Sequence, residues 1–434
     1  MGTYYIWTEG CQMNVADAER LGAELTAQGH VPTPSPDDAD IVVVNSCVVR
    51  QQAEDRAANK LTAVSGNKSR RPQQTIALMG CMVGPRTEDL QRRFPLVDAF
   101  LRPQSFTPLL DLTQRIPLGE GCLPADAIDL KATGPAAFVN IVHGCDNFCT
   151  FCIVPYRRGR ERSRSVDEIV AEVVHLAAQG VRDVTLLGQK VDSYGKDLGN
   201  VDLADLLAEV SGVEAIDRIR FLTSYPLGVT DKLVGAVASL PKVCEHINIP
   251  VQSGDDTQLA LMQRGYTLAQ FQDRMRVIKQ RIPGVSLATD VIVGFSGETE
   301  AQFQHTLDLM EEVRFDVVHV AMYSVRAGTI AARTLPDDVP AEVKSERLHR
   351  VEALQERIAT ELNAPLLGQT LEVLGDSQKR GRWEGRTRTN KLVHFDAPAL
   401  ALRGEMVEVK VTATSPWSLQ GEVVAVGVGT PALR

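Results

Sequence analysis

The sequence has no long apolar run and lacks the features of a segment carried into or across a membrane. No stretch approaches the ~18 uninterrupted apolar residues that a membrane helix needs. The first residues, Met-Gly-Thr-Tyr-Tyr-Ile-Trp-Thr, contain neither a basic region nor an apolar one, so we expect no secretory signal. These absences predict a cytoplasmic protein without a membrane partner.

The composition also excludes a disordered chain and a wholly basic surface. Of the 434 residues, 44% are hydrophobic and 23% are charged, which is typical of globular proteins. The 46 Lys and Arg against 55 Asp and Glu leave a formal net charge of −9, so nucleic acid can be bound only through a local basic patch. The length exceeds one ordinary domain of roughly 100–200 residues.

The first part of the chain, residues 1–115, alternates strands with helices. Apolar runs at 4–7, 41–44 and 75–79 read as strands, and helical spacing follows at 17–28 and 51–64. This alternation predicts an α/β unit with a doubly wound parallel sheet. A stretch rich in Pro and Gly comes next, and we place a linker at residues 116–136.

The central part, residues 137–365, repeats the alternation. Six predicted strands lie at 138–142, 183–187, 218–222, 246–249, 287–293 and 315–320. Ser165 and Glu168 form a capping box that starts the first helix, and Gly180 ends it. Six strand–helix units in this length predict a partial (β/α)6 barrel, closed by an amphipathic helix at 341–362.

The last part, residues 366–434, changes character. Short runs with β propensity at 371–374, 406–411 and 421–428 are separated by turn residues. This pattern predicts a small antiparallel β-barrel.

Three cysteines, Cys145, Cys149 and Cys152, fall in a loop that leaves the first barrel strand. Three thiolates at this spacing can hold a 4Fe–4S cluster and leave one iron open, since such a cluster needs four ligands. The amino and carboxylate groups of S-adenosylmethionine (SAM) can take the open position, and the reduced cluster can then cleave SAM to a carbon radical. The alternatives are a zinc site, which prefers four ligands in two spaced pairs, and a structural group of thiols.

A second trio, Cys11, Cys47 and Cys81, is scattered in sequence but shares one structural position. Each follows the carboxyl end of a predicted parallel strand, and these ends lie at one edge of an open α/β sheet. The three thiols are therefore predicted to converge on a second 4Fe–4S cluster. The alternative is three independent buried cysteines, as we expect for Cys122 and Cys244, which have no partner at useful spacing.

Two basic runs are candidates for RNA contact. The first run, which follows Cys152, contains Arg157, Arg158, Arg160, Arg162 and Arg164. The tail run contains Lys379, Arg380, Arg382, Arg386, Arg388 and Lys391, with Trp383 among them. Cations neutralise phosphates and an aromatic ring can stack on an unpaired base. A solvated charged face is the alternative for both runs, and the first run can also hold the SAM carboxylate or pair with Glu161.

Ordered motifs along the whole chain resemble those of the radical-SAM methylthiotransferases, and most closely the MiaB-like, tRNA-modifying branch. The matching motifs are Gly10–Asn14, Asn45–Arg50, Gly80–Met82, Gly144–Pro155, Leu187–Gln189, Phe221–Ser224, Pro250–Gly254, Thr289–Phe295 and Arg326–Thr329. Three positions depart from the usual pattern: Lys190 stands in place of Asn, Tyr225 in place of His and Ser296 in place of Pro.

The resemblance implies an N-terminal methylthiotransferase domain, a radical-SAM core and a C-terminal TRAM domain that binds RNA. It also implies that a methylthio group is added to C2 of N6-(dimethylallyl)adenosine beside the anticodon, with one SAM as radical source and one as methyl donor. We expect Phe151, Gly188, Gln189, Gln252, Ser253 and Asp290 to line the SAM pocket. The partners would be the tRNA anticodon stem-loop, a reductant such as flavodoxin or ferredoxin, and a sulfur donor, with the protein acting as a monomer.

Two other functions stay open at this point. Relatives in the family carry out the same chemistry on threonylcarbamoyl-adenosine in tRNA or on an aspartate of a ribosomal protein. A non-catalytic, metal-containing RNA-binding protein would have the same cysteines but would never cleave SAM.

Overall fold

The computed structural model describes residues 2–48, 51–113, 132, 134–397 and 401–427, so Cys122 and most of the predicted linker lie outside the described residues. Within the described part, no helix is long and apolar enough to cross a membrane.

The N-terminal unit is built on a five-stranded parallel sheet. Its elements are β1 (Thr3–Glu9), α1 (Gln12–Ala27), β2 (Val31–Pro32), β3 (Ile41–Ser46), α2 (Gln51–Ser65), β4 (Thr75–Gly80), α3 (Glu88–Arg93), β5 (Ala99–Leu101) and α4 (Thr107–Thr113). The strand order is β2-β1-β3-β4-β5. The prediction of a doubly wound sheet is confirmed.

The central strand β3 shows why helices cover both faces of this sheet. Its residues Ile41–Ser46 are all buried, and successive side chains point to opposite faces. Val42 and Val44 pack with Leu61 of α2 in one apolar cluster. Ile41 and Val43 pack with Leu21 of α1 in another. An unbroken apolar strand therefore has a helix layer on each side.

The central unit contains six parallel strands arranged as an open barrel. Its elements are β6 (Ala136–Asn140), β7 (Val142–His143), α5 (Val154–Arg158), β8 (Arg162–Ser163), α6 (Val166–Ala178), β9 (Asp183–Leu187), α7 (Leu203–Ser211), β10 (Arg218–Phe221), α8 (Asp231–Ser239), β11 (His246–Asn248), α9 (Asp256–Leu261), α10 (Leu268–Arg281), β12 (Ser286–Val293), α11 (Glu300–Val313), β13 (Val317–Met322), α12 (Ile330–Thr334) and α13 (Ala341–Asn363).

The barrel strands follow the chain order. β6, β9 and β10 form one sheet, β11, β12 and β13 form another, and a parallel bridge between Ile219 and Val243 links the two. The predicted capping box at the start of α6 is present: Ser165 Oγ accepts from the Glu168 amide, and the Glu168 carboxylate accepts from the Ser165 amide.

The last helix, α13, buries Val351 and Ile358 of its predicted apolar face together with several polar side chains. Its buried residues include Lys344, Arg347 and Gln355. Arg347 forms a 2.9 Å ion pair with Glu298, both side chains being almost inaccessible. The Gln355 amide donates to two main-chain carbonyls at the start of β13, each at 3.0 Å. Long polar side chains with buried partners therefore replace part of the expected apolar face.

The tail forms a closed five-stranded barrel from β14 (Thr370–Lys379), β15 (Arg382–Thr387), β16 (Leu392–Asp396), β17 (Met406–Thr414) and β18 (Leu419–Val426). Four of its pairings are antiparallel, but β16 pairs with β18 in parallel. A small β-barrel is confirmed, with this one parallel pairing as a departure.

The tail barrel docks at the amino-terminal ends of the central barrel strands. Arg218, at the start of β10, is inaccessible to solvent and forms a 2.8 Å ion pair with Glu372. Arg388 of the tail pairs with Glu245, next to the start of β11, at 2.7 Å. At the opposite, carboxyl ends, Leu187 of β9 and Leu222 after β10 pack with Met13 and Ala16 of α1 in the N-terminal unit.

Candidate functional site

Cys11, Cys47 and Cys81 lie at one edge of the N-terminal sheet. The last residues of β1, β3 and β4 are register partners: Glu9 pairs with Ser46, and Ser46 pairs with Gly80. Each cysteine follows its strand end by one or two residues. Parallel strands that end in register therefore bring together three thiols that are 36 and 34 residues apart in sequence.

A hydrogen bond between thiols, burial and a nearby guanidinium define the environment of these cysteines. The hydrogen bond from the Cys47 thiol is the largest cause that lowers the pKa of Cys11 to about 6. Burial raises the pKa of Cys81. Arg158, which the central unit carries, donates from Nε to Cys81 Sγ at 3.1 Å. The three thiols thus share one local electrostatic environment with a cation beside it.

Two buried asparagines hold the loops that carry Cys11 and Cys47. Asn14 Nδ2 donates to Asn45 Oδ1 at 2.9 Å, and Asn45 Nδ2 donates to the Asn14 carbonyl at 2.6 Å. Both side chains are inaccessible to solvent. Two reciprocal hydrogen bonds of buried side-chain amides therefore fix the position of the loop after β1 relative to the end of β3.

The second group, Cys145, Cys149 and Cys152, lies in the loop between β7 and α5. The Cys145 amide donates to the Gly159 carbonyl, which closes the loop at 3.1 Å, and the Cys152 amide donates to the Cys149 carbonyl at 2.9 Å. Burial raises the pKa of Cys145 to about 11 and that of Cys152 to about 12, and the neighbouring thiols add to both shifts. The three thiols therefore face one another, as the spacing predicts.

A buried arginine also contacts this group. Arg264, in the turn after α9, donates to Cys149 Sγ at 3.4 Å and to the Pro250 carbonyl at 2.7 Å. Its guanidinium lies over the rings of Tyr225 and Tyr266, with centroids 5.1 and 5.4 Å away. Each thiol group thus has one buried guanidinium that donates to one sulfur.

The short helix α5 connects the two thiol groups. It begins two residues after Cys152, and the residues Ile153 and Tyr156 pack against Val48 and Cys81 in a small apolar cluster. The N-terminal edge and the mouth of the barrel therefore face each other across a single helical turn.

The donor chemistry of both groups suits iron–sulfur clusters. Thiolates are the usual cluster ligands, and donors that hydrogen-bond to the ligand sulfurs tune such clusters. Gly144, before the second group, has φ +76° and would place a Cβ 2.1 Å from the Arg160 carbonyl, so the loop needs glycine there. In the described ranges, no three His, Cys, Asp or Glu side chains are grouped to hold a single metal ion. A cluster of four irons is larger than one ion and takes its ligands from a wider circle.

The predicted SAM-pocket residues lie in the cysteine loop, just after barrel strands β9 and β11, or, for Asp290, within β12, and their roles differ. Gln189 Oε1 accepts from the Gly144 amide at 2.7 Å and so supports the cysteine loop. Gly188 leaves space for Val142, whose Cγ1 would lie 2.4 Å from a Cβ there. Gln252 has a left-handed backbone, φ +76°, in the turn after β11. Such a strained turn at a strand end is typical of ligand sites.

The other three predicted pocket residues are engaged with the protein. Phe151 packs edge to face on Phe295, with centroids 6.3 Å apart. Ser253 is inaccessible to solvent, and its Oγ accepts from the Asp255 amide at 3.3 Å. Asp290 Oδ2 accepts from Asn248 Nδ2 at 3.3 Å. Ser253 thus has a structural role at the start of α9.

The structure separates the predicted RNA-binding residues into two sets. Lys379, Arg380 and Arg382 are at the surface of the tail barrel, where Lys379 and Arg382 form ion pairs with Glu384 and Asp396. Arg386 is also exposed and donates to the Asn390 carbonyl. These four side chains remain candidates for phosphate contact.

The remaining three are corrections. Trp383 is 7% exposed and lies in the core of the tail barrel, so its ring cannot stack on a base. Arg388 is bound to Glu245 across the domain interface. Arg158 has a side chain only 3% exposed and pairs with Asp17 at 3.0 Å. In each case the tertiary structure uses the side chain for packing or docking.

Sequence reasoning missed Asp17 and Arg264, and gave Lys190 and Tyr225 no role. Lys190 Nζ donates to Asn147 Oδ1 in the cysteine loop at 3.1 Å, and it lies 5.3 Å from the Tyr225 ring centroid. These are two of the three positions that depart from the usual family pattern, and they contact each other. The departure itself was the only signal in the sequence; Arg264 and Asp17 carry none.

Six strands of a partial barrel with a cysteine loop after the first strand define a radical-SAM protein, here with a second thiol site and a small β-barrel. Residues 139–310 match the family model described as Radical SAM superfamily. Residues 3–102 match the one described as Uncharacterized protein family UPF0004, and residues 366–424 match the TRAM domain.

Curated relatives cover almost the whole chain. A "tRNA-2-methylthio-N(6)-dimethylallyladenosine synthase" from Chloroflexus aurantiacus is 47% identical over 425 residues, which are 96% of this chain and 91% of the relative. A protein of the same name from Dehalococcoides mccartyi is 45% identical over 98% of this chain and 99% of its own length. The chain belongs to the radical-SAM methylthiotransferases, in the family of the tRNA-2-methylthio-N(6)-dimethylallyladenosine synthases.

A solved structure supports the fold. The radical S-adenosylmethionine methyltransferase TsrM from Kitasatospora setae aligns with a TM-score of 0.57 and 15% identity, over 76% of each chain. At this identity the likeness concerns the fold alone.

Proposed function

We propose that this chain adds a methylthio group to C2 of N6-(dimethylallyl)adenosine next to the anticodon of tRNA. The observation that carries the proposal is the placement of six cysteines as two trios that face each other across α5, in a chain whose relatives of the same name align over nearly their full length. SAM and an iron–sulfur cluster are the cofactors of this radical-SAM family. The second cluster is our proposal.

The chain's own residues divide the work between the two sites. Cys145, Cys149 and Cys152 would hold a 4Fe–4S cluster, and Cys11, Cys47 and Cys81 would hold a second one. A reduced cluster and SAM, when held there, would supply one-electron cleavage of a sulfonium C–S bond, which leaves methionine and a carbon radical; the electron would come from the external reductant. The protein positions the cysteine loop through Gln189 and Lys190, both of which bond to it.

The cavity for SAM is proposed to lie at the carboxyl ends of the barrel strands. Gly188 and the backbone turn at Gln252 follow two of these ends, and Asp290 lies within the neighbouring strand β12. Phe151 closes one side, where it packs against Phe295. A site between two domains can exclude water from the radical and still admit a single extruded base.

RNA is proposed to bind through the exposed cations of the tail barrel. Lys379, Arg380, Arg382 and Arg386 are at the surface of β14, β15 and their connecting turn. Because the tail docks at the amino-terminal end of the barrel, the anticodon stem would run along the barrel side toward the opposite mouth.

The remaining proposals are domain bounds at 1–115, 137–365 and 366–434, a monomeric, cytoplasmic protein, an external reductant such as flavodoxin or ferredoxin, and a sulfur donor.

The proposal is tested by anaerobic reconstitution followed by iron counting and assay with tRNA that carries the prenylated adenosine. About eight irons per chain, SAM cleavage and a methylthio product in digested tRNA are expected. The Cys11→Ala/Cys47→Ala/Cys81→Ala variant should lose about four irons and the product but keep SAM cleavage. About four irons in the unmutated chain would refute the proposal of a second cluster. SAM cleavage without any tRNA product would refute the proposed substrate.

A further inference from the structure

Arg158 is the residue that joins the N-terminal thiols to the radical-SAM unit. It lies at the end of α5, six residues after Cys152, yet its guanidinium contacts the other thiol group. Nε donates to Cys81 Sγ at 3.1 Å, and Nη2 lies 3.0 Å from an Asp17 carboxylate oxygen. Both contacts reach across the domain boundary.

The position is chemically unusual because the charge pair is almost completely removed from water. The side chains of Arg158 and Asp17 are 3% and 1% exposed. A buried ion pair seldom stabilises a fold more than apolar residues of the same size would. Neither Nη1 nor Nη2 of Arg158 has a hydrogen-bond partner in the described part of the chain, although Nη2 forms the ion pair with Asp17. A buried guanidinium with an unsatisfied donor beside three thiols is therefore poorly explained by folding alone.

The alternatives for Arg158 are excluded by its contacts. Its burial keeps it from RNA phosphates on the surface. Its hydrogen bond goes to Cys81 of the other domain and, among the described residues, to none of the cysteine loop that precedes it. Arginine also suits the place because its planar fork carries several donors, so Nε can donate to a sulfur while Nη2 forms an ion pair with a carboxylate.

We propose that Arg158 is a positioning residue of the N-terminal thiol site, although the radical-SAM domain carries it. It holds the Cys81 sulfur by a hydrogen bond and places a positive charge beside the group bound there. The site is then complete only when the two domains are docked. This inference rests on the proposed function, in which Cys11, Cys47 and Cys81 hold the second iron–sulfur cluster.

A cation that donates to a ligand sulfur stabilises the reduced, more negative cluster and raises its reduction potential. The effect is measured in full-length protein in which Cys145, Cys149 and Cys152 are replaced by Ala, so that only the N-terminal site contributes to the spectrum. The double substitution Arg158→Met with Asp17→Asn is then introduced into this variant. It removes both buried charges, so that neither is left unpaired. The readouts are iron per chain and the midpoint potential from a redox titration followed by electron paramagnetic resonance.

We expect the double variant to have a lower midpoint potential or to lose the irons of the N-terminal site. Arg158→Lys alone keeps the charge beside Asp17, but its single nitrogen cannot occupy the Nε and Nη2 positions at once, so a smaller shift of the same sign is expected. If the double variant does not fold, the same measurements on Arg158→Lys test the inference. The control is Arg220→Met with Asp183→Asn, a buried pair of 2.9 Å at the far end of the barrel, which should leave the potential unchanged.

The possible failures are distinguishable. If the background protein with Arg158 intact binds no iron, the second cluster of the proposed function is wrong. If it binds about four irons and the Arg158 variants keep the same irons and the same midpoint potential, the inference about Arg158 is overturned while the proposed function stands.

Discussion

Replacing Gly80 by Ala should disable the N-terminal thiol site without unfolding the protein. Gly80 is the last residue of β4 and precedes Cys81, with φ +97°. A Cβ there would lie 2.4 Å from the Ser46 carbonyl oxygen, 2.5 Å from Asn45 Oδ1 and 3.0 Å from Asn14 Nδ2. Ser46 and Asn45 end β3 just before Cys47, and Asn14 lies in the first turn of α1 just after Cys11, so the methyl group would move the site itself.

The expected cost is the sum of two effects. A left-handed backbone at a residue with a Cβ costs roughly 1–2 kcal/mol. Forcing a methyl group into a packed position costs typically about 1–3 kcal/mol more, since the nearest atom is main chain and cannot rotate away. The free energy of unfolding should therefore fall by about 2–5 kcal/mol, against a total of about 5–15 kcal/mol for an ordinary domain.

Gly29→Ala is the matched control. Gly29 follows α1 with φ +84°, and nothing lies within 4 Å of a Cβ built on it. It should lose only the roughly 1–2 kcal/mol that the backbone conformation costs. Both variants are compared with the unmutated chain by denaturant unfolding without iron, and by iron counting after anaerobic reconstitution.

The iron count is the sharper measurement. Gly80→Ala should lose the irons held by Cys11, Cys47 and Cys81 and keep SAM cleavage, whereas Gly29→Ala should keep both. Equal unfolding free energies for the two alanine variants, together with a full iron count in Gly80→Ala, would refute the view that this glycine sets the spacing of the three thiols.

Three further predictions concern pH, RNA and helix capping. Burial lowers the pKa of His246 to about 3, so the unfolded chain binds this proton near pH 6.5 and the folded chain does not. The free energy of unfolding should fall by up to about 1.4 kcal/mol per pH unit below pH 6.5, and His246→Gln should remove that part of the slope in urea titrations at several pH values. Replacing Lys379, Arg380 and Arg382 by Ala should weaken tRNA binding. The slope of log binding constant against log salt concentration, measured by filter binding, should become shallower by about 0.7–0.9 for each phosphate that is no longer neutralised. An unchanged slope would show that these residues do not contact the RNA. Ser165→Ala removes the cap of α6 and should lower the free energy of unfolding by about 1 kcal/mol, with no loss of iron.

Most of the architecture could be predicted from the sequence because the signals are local. An unbroken apolar run such as Ile41–Val44 indicates a strand buried on both faces, and its neighbours alternate with helices. Parallel strands end at one edge, so the convergence of Cys11, Cys47 and Cys81 followed from counting residues past each strand end. Cys145, Cys149 and Cys152 needed only their spacing.

The functions of single charged and aromatic side chains could not be predicted in this way. Trp383 is in a basic run, which is typical of RNA contact, but its position in β15 turns it into the barrel core. Arg388 is in the same run and is used for docking on Glu245, 143 residues away in sequence. Composition describes a neighbourhood along the chain, whereas burial depends on strand register and on the partner domain.

Sequence alone determined the three-part layout, the two cysteine trios and the family of this protein, because repeated hydrophobic patterns and fixed spacings are written within a few residues. Only the tertiary structure decided which residues surround each trio. Arg158 is next to one cysteine group along the chain and binds the other in space, since α5 crosses the gap between domains. Contacts between units that fold from separate stretches have no local pattern, so packing alone assigns them.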